Sequence, residues 1–171
     1  MRAFAGHALG ALEGFALGTV ERRSLGPRQL GIRVEAVGLG FVDALVMRGL
    51  YPVKPPLPFV PGGEIVGIVE EVGEAVDDFA RGQRIAAWQF GGGLADRAVV
   101  EADDALAVPE EVEPTAAAAV LLDYLTAYYG LFDRGRLKPG EVVLVTGASG
   151  GVGSAAVQLA AMTGCPVAAR G

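Results

Sequence analysis

Glu141–Thr146 (EVVLVT) runs directly into Gly147–Gly153 (GASGGVG), and the reading of this stretch decides the fold. Val142, Val143, Leu144 and Val145 form an unbroken apolar run, the pattern of a buried strand of the parallel type. The glycines at 147, 150 and 153 give a GxxGxxG spacing and open a helix predicted over Gly151–Thr163. Pro166–Ala169 (PVAA) then starts another strand. Strand, glycine turn, helix and strand make one βαβ unit.

This context is the one a dinucleotide fingerprint requires. A glycine at the turn lets the chain reverse tightly, and one at 150 or 151 lets backbone approach a pyrophosphate. Gly153 allows the helix to pack closely on the strand. The helix N-terminus would offer free N–H groups and a partial positive charge to the phosphates. The competing reading is a tight turn with no ligand. The fingerprint also expects an acidic residue about twenty positions on, for the ribose 2′-hydroxyl of NAD. Arg170 stands there instead, which either favours a 2′-phosphate, hence NADP(H), or is simply solvated.

Upstream of the turn, Lys138-Pro139-Gly140 reads as a turn and Ala116–Phe132 as a helix, kinked or broken in two, with Thr115 as its N-cap. Leu121, Leu125, Tyr128 and Phe132 fall on one face at helical spacing. The character of the chain changes near Glu110–Pro114, dividing it into residues 1–112 and 113–171. The first part reads as short strands, over Met1–Ala5, Gly31–Gly38, Glu64–Val72, Gln83–Trp88, Ala95–Glu101 and Asp104–Val108. Such spacing suggests a small barrel or sandwich. Phe41–Arg48 (FVDALVMR) has a helical pattern, and residues 52–61 (PVKPPLPFVP), with five prolines, form a stiff extended loop.

Of 171 residues, 51% are hydrophobic and 20% charged, which excludes disorder. Fourteen basic against twenty acidic residues give −6, so neither nucleic acid nor an anionic membrane is an expected partner. Cys165 and His7 are the only cysteine and histidine, so no disulfide and no Cys- or His-rich zinc site can form within the chain. The longest purely apolar run, Ala116–Leu122, is too short to span a bilayer. Met1–Gly14 lacks a clean cleavage site, and the expectation is a soluble, cytoplasmic protein.

The succession GLGFVDALVMRGLYPVKPPLPFVPGGEIVGIVEEVG, GQRIAAW, GGLADRAVV, YLTAYYGL and GRLKPGEVVLVTGASGGVGSAAVQLA resembles the zinc-independent quinone oxidoreductases of the medium-chain dehydrogenase/reductase superfamily. The resemblance implies a mixed β and α/β fold. Residues 1–112 would be a GroES-like β-barrel catalytic domain and residues 113–171 the first βαβ of a truncated Rossmann domain. Zinc-bearing members carry Gly-His-Glu where this chain has Gly62-Gly63-Glu64, so the implied chemistry is metal-free hydride transfer from NADPH.

By resemblance, Phe41, Val42 and Asp43 approach the cofactor, Thr126 and Tyr129 lie on a helix facing it, and Gly150, Gly151, Val152 and Gly153 form the phosphate turn. Asp43 could equally hydrogen-bond a local turn, and Tyr129 could be core. Gly40 stands where members usually have asparagine, and Leu45 where bacterial relatives often have a second tyrosine. Arg48 and Tyr51 fall near the substrate-side loop. Tyr51 is the candidate donor to the oxygen that gains charge, or else a packing residue. Glu64 reads as a structural carboxylate. The expected substrate is a quinone or an α,β-unsaturated carbonyl, and the full-length form is expected to be a homodimer. Two alternatives are an enoyl-thioester reductase of the same superfamily and a non-catalytic split or degenerate subunit. Family members continue through further Rossmann strands, so the chain is expected to be an N-terminal fragment, without turnover of NADPH and 1,4-naphthoquinone on its own.

Overall fold

Phe15 packs its ring where a Cβ on Gly6 would otherwise lie, which fixes the end of an antiparallel ribbon. The ribbon pairs β1 (Arg2–Gly6) with β2 (Phe15–Thr19), Arg2 opposite Thr19 and Gly6 opposite Phe15. The computed structural model describes residues 1–171 and divides into two units, Met1–Ala119 and Val120–Gly171.

In the first unit the longest strands are β3 (Gln29–Gly38) and β4 (Glu64–Val72). They pair antiparallel, with register shifts at Gly31/Ile32 and Val34/Ala36 that bend the ladder. The loop between them contains α1 (Phe41–Met47). Next come β5 (Arg84–Trp88), β6 (Arg97–Glu101) and β7 (Ala105–Ala107). Together the five strands form a sheet in the order β6-β3-β4-β5-β7. Isolated bridges, Ala3 to Ala95 and Gly6 to Phe59, connect the ribbon to segments beside this sheet. Leu30, Ile32, Ile65, Val69, Ile85 and Val100 form the core of the sheet. A second cluster gathers Phe15, Val46 and Phe59, with Val42, Tyr51 and Phe90 packed against it. The proline-rich segment is a loop, as expected, and includes a cis Leu57–Pro58 bond.

The predicted helix over 116–132 is broken into shorter pieces. A four-residue α2 (Pro114–Ala117) packs against β3 and β4 in the first unit. Its N-cap is Glu113, not Thr115, because Pro114 takes the first helical position, where its missing N–H costs nothing. The second unit opens with α3 (Leu121–Tyr128), which passes into a π-helical turn over Tyr129–Arg134. The expected apolar face is only partly covered within the unit: Leu121 is buried, but Leu125 and Tyr128 are about half exposed.

The βαβ unit is present. β8 (Val143–Thr146) and β9 (Val167–Arg170) pair in parallel, Thr146 opposite Arg170, with α4 (Gly151–Met162) between them in sequence. Burial of β8 falls short of the expected fully buried strand. Val145 is buried, whereas Leu144 is 70% exposed, because helix packing covers only part of this two-stranded sheet. The lone cysteine is buried, and Cys165 Sγ donates to the carbonyl of Lys138 at 3.3 Å.

Candidate functional site

The glycines of GASGGVG meet four different local requirements. Gly147 has φ +70°, a left-handed conformation that favours glycine, and so makes the reversal out of β8. A Cβ on Gly153 would fall on the carbonyl oxygen of Gly147 and 2.9 Å from Ala148 Cα, so this glycine lets the helix close on its own turn. A Cβ on Gly151 would collide with the Asp123 carboxylate, 2.6 Å from its Cγ. Gly150 alone has room, its nearest neighbour being Gly147 O at 3.4 Å.

Gly150 is also the N-cap of α4, with extended backbone and no side-chain hydrogen bond to the cap. Ser154 donates the first intrahelical bond, to Gly150 O at 2.8 Å. The amides of Gly151, Val152 and Gly153 therefore precede the helical ladder, and such groups, with the helix dipole behind them, form an anion site. The residues fit a dinucleotide pyrophosphate, with Gly150 giving the open approach and the three amides the donors. The turn is tied to the strand end, since Ala148 N–H donates to Arg170 O at 2.9 Å. The exposed Arg170 side chain thus starts at the carboxyl end of the parallel pair, beside the turn.

Thr126, on α3, and Tyr129, at the start of the π-helical turn, are both exposed. Tyr129 Oη accepts from Arg134 Nε at 2.5 Å, and the guanidinium lies 5.0 Å from the ring centroid. The π turn makes this possible. Its backbone bond from Gly135 N–H to Gly130 O spans five residues, whereas in an α-helix a residue five positions on faces well away.

In the first unit Asp43 is the organising residue. Its Oδ2 accepts from Gly40 N–H at 2.9 Å, closing the N-terminus of α1 from the third helical position. The reciprocal half of a capping box is absent, since Gly40 has no side chain. Asp43 Oδ1 accepts from Gly62 N–H at 2.8 Å, fastening the helix to the turn before β4. The local-turn reading of Asp43 is therefore observed, and this contact orients its neighbours. Val42 packs on the second cluster, while Phe41 is 78% exposed. Tyr51 joins that cluster, its ring 5.6 Å from that of Phe90. Lys54 Nζ holds the loop by donating to the carbonyls of Gly49 and Tyr51. Glu64 is buried at the start of β4, and the space that Gly38 lacks a Cβ to fill holds its carboxylate and the Ala118 carbonyl.

A cavity of about 650 Å³, unannounced by any motif, opens in the same unit. Val20, Arg22, Pro56, Phe59, Phe90 and Gly92 are among its walls, and none of Phe41, Val42, Asp43 or Tyr51 is. Arg22 is held there by Glu71, Nη1 to Oε1 at 2.6 Å. That hydrogen bond keeps the Glu71 carboxyl below the usual carboxylate range. Nothing in the sequence other than the proline density marks this hollow.

Residues 26–110 match the family of alcohol dehydrogenase GroES-like domains. The human synaptic vesicle membrane protein VAT-1 homolog is 46% identical over 134 residues, covering 78% of this chain and 34% of that protein. The quinone oxidoreductase of Thermus thermophilus, solved also in complex with NADPH, superposes with a TM-score of 0.85 at 39% identity. It is covered to 52%, and this chain to 99%. The CurK enoyl reductase superposes at 0.90 with 29% identity, 98% of this chain matching 53% of that one. The chain thus spans about a third of its curated relative and about half of each solved structure.

Proposed function

We propose that the chain belongs to the quinone oxidoreductases of the medium-chain dehydrogenase/reductase superfamily, and that it serves hydride transfer from NADPH to a quinone or an α,β-unsaturated carbonyl, without zinc. One observation carries the reading: the N-terminus of α4, open at Gly150, stands at the carboxyl end of a parallel strand pair, where α/β folds bind nucleotides. NADPH, when bound, supplies the hydride.

The protein's own part is binding and orientation. The amides of Gly151, Val152 and Gly153 would hold the pyrophosphate, with Gly150 leaving room for it, and Arg170 would meet the 2′-phosphate. Phe41 and Val42 would approach the nicotinamide from α1, whose start Asp43 fixes, and Thr126 would do so from α3 and Tyr129 from the π-helical turn that follows it. Tyr51, on the loop braced by Lys54, would donate its hydroxyl to the substrate oxygen that gains charge. With one histidine and one cysteine in the chain, a zinc site of the Cys and His type has at most two ligands to draw on, fewer than it needs. We place this activity in the cytoplasm and in a homodimer of the full-length form. No helix is long and apolar enough to cross a membrane.

The superposition on an enoyl reductase supports the second reading, an enoyl-thioester as acceptor. Calorimetric titration with NADPH and NADH tests the cofactor, with tighter NADPH binding expected. In the full-length form, NADPH oxidation with 1,4-naphthoquinone against crotonyl-coenzyme A then separates the acceptors. Faster turnover of the thioester would transfer the assignment to that class. Absence of binding by either nucleotide would leave the chain a non-catalytic subunit.

A further inference from the structure

Asp123 is an acidic side chain placed against the glycine turn at Gly151, and the function proposed above leaves it unused. It is half-buried on α3, and its carboxylate packs on the Cα of Gly151, at the first residue of α4. Gly150 supplies no capping side chain, so α4 has no anion of its own chain segment at its positive end. A carboxylate within the first turn of a helix interacts favourably with that end. Asp123 therefore places a negative charge from the neighbouring helix beside the first residue of α4, in the turn that would receive a pyrophosphate.

We propose that Asp123 is an internal anion beside the N-terminus of α4 and lowers the affinity of that terminus for nucleotide phosphates. The inference rests on the dinucleotide reading of the turn. Its carboxylate stabilises the ligand-free helix, and an arriving pyrophosphate brings further negative charge to the same helix end. Either the two repel, or Asp123 swings away and gives up its contact; both weaken binding. A residue with the same shape and no charge removes the competition.

The test uses Asp123→Asn and, as a second variant, Asp123→Ser in the 171-residue chain. NADPH and inorganic pyrophosphate are titrated calorimetrically, and thermal midpoints are recorded with and without NADPH. Asp123→Asn is expected to bind both probes about tenfold more tightly, with the gain shrinking as salt rises. Its midpoint should lie below that of the parent without ligand and rise further than the parent's when NADPH is added. Equal affinities for parent and both variants would overturn the role of Asp123 while leaving the nucleotide site intact. Weaker binding by both variants, with folding preserved, would also overturn it, by making Asp123 a supporting group. Absence of binding in parent and variants alike at millimolar NADPH would instead sink the dinucleotide reading on which the inference rests.

Discussion

Asp43 and Gly62, nineteen positions apart, are joined by a 2.8 Å hydrogen bond from the Gly62 amide to the Asp43 carboxylate. The other oxygen takes the Gly40 amide, so one side chain fixes both the start of α1 and the turn into β4. Asp43→Ala strands two backbone donors, one of them in the buried Gly62. It should cost about 2–3 kcal/mol in chemical denaturation, and Asp43→Asn, which keeps one acceptor oxygen, about half as much. A loss under about 0.5 kcal/mol for the alanine variant would show that neither bond matters to stability.

The glycine turn yields an ordered series. Gly153→Ala meets the Gly147 carbonyl, and Gly147→Ala must take a φ of +70°, so both should lower the thermal midpoint by several degrees. Gly150→Ala meets nothing closer than 3.4 Å and should leave the midpoint within about 2 °C. Its effect belongs to binding, since the methyl group occupies the approach to the three free amides. A tenfold or greater loss of NADPH affinity is expected for this variant, roughly the cost of misplacing one charge-assisted hydrogen bond.

Glu71 supplies a pH dependence whose sign follows from its ion pair. Arg22 holds the folded-state carboxyl below its unfolded value, so the contribution to stability is complete above the ordinary carboxylate pKa, about 4.3. It disappears as pH falls through the depressed folded value. Denaturant midpoints of the parent and Glu71→Gln should therefore differ at neutral pH and converge on acidification. A difference that grows on acidification would contradict the assignment.

Arg170 tests cofactor choice. If its guanidinium meets a 2′-phosphate, Arg170→Ala should weaken NADPH binding about tenfold and leave NADH unchanged, the size expected for one exposed charge-assisted contact. An unchanged ratio of the two affinities would return Arg170 to a solvated strand end.

The parallel β8–α4–β9 unit was legible in the sequence because an uninterrupted Val/Leu run followed by spaced glycines leaves little else for the backbone to do. Glu64–Val72 was legible for a similar reason, as a β-branched run set in the middle of a sheet. Phe15–Thr19 was not: one buried aromatic in FALGT carries no alternation, and the strand exists because β1 lies beside it. The helix read over 116–132 is divided because α2 packs on the first unit's sheet while α3 belongs to the second, which local periodicity cannot register. For the site, the spacing assigned Gly150 or Gly151 to pyrophosphate approach. Asp123 demands a glycine at 151 for a different reason, a fact that depends on residues of two helices twenty-eight positions apart. The cavity under the proline loop was equally hidden, being made by segments distant in the chain.

The central claim is that the N-terminus of α4 receives a dinucleotide. It is tested most directly by following backbone amide resonances of the 171-residue chain during titration with NADPH. Saturable shifts concentrated on Gly150, Gly151, Val152 and Gly153, and lost in Gly150→Ala, are the predicted result. Saturable binding that leaves these four amides unmoved would contradict it.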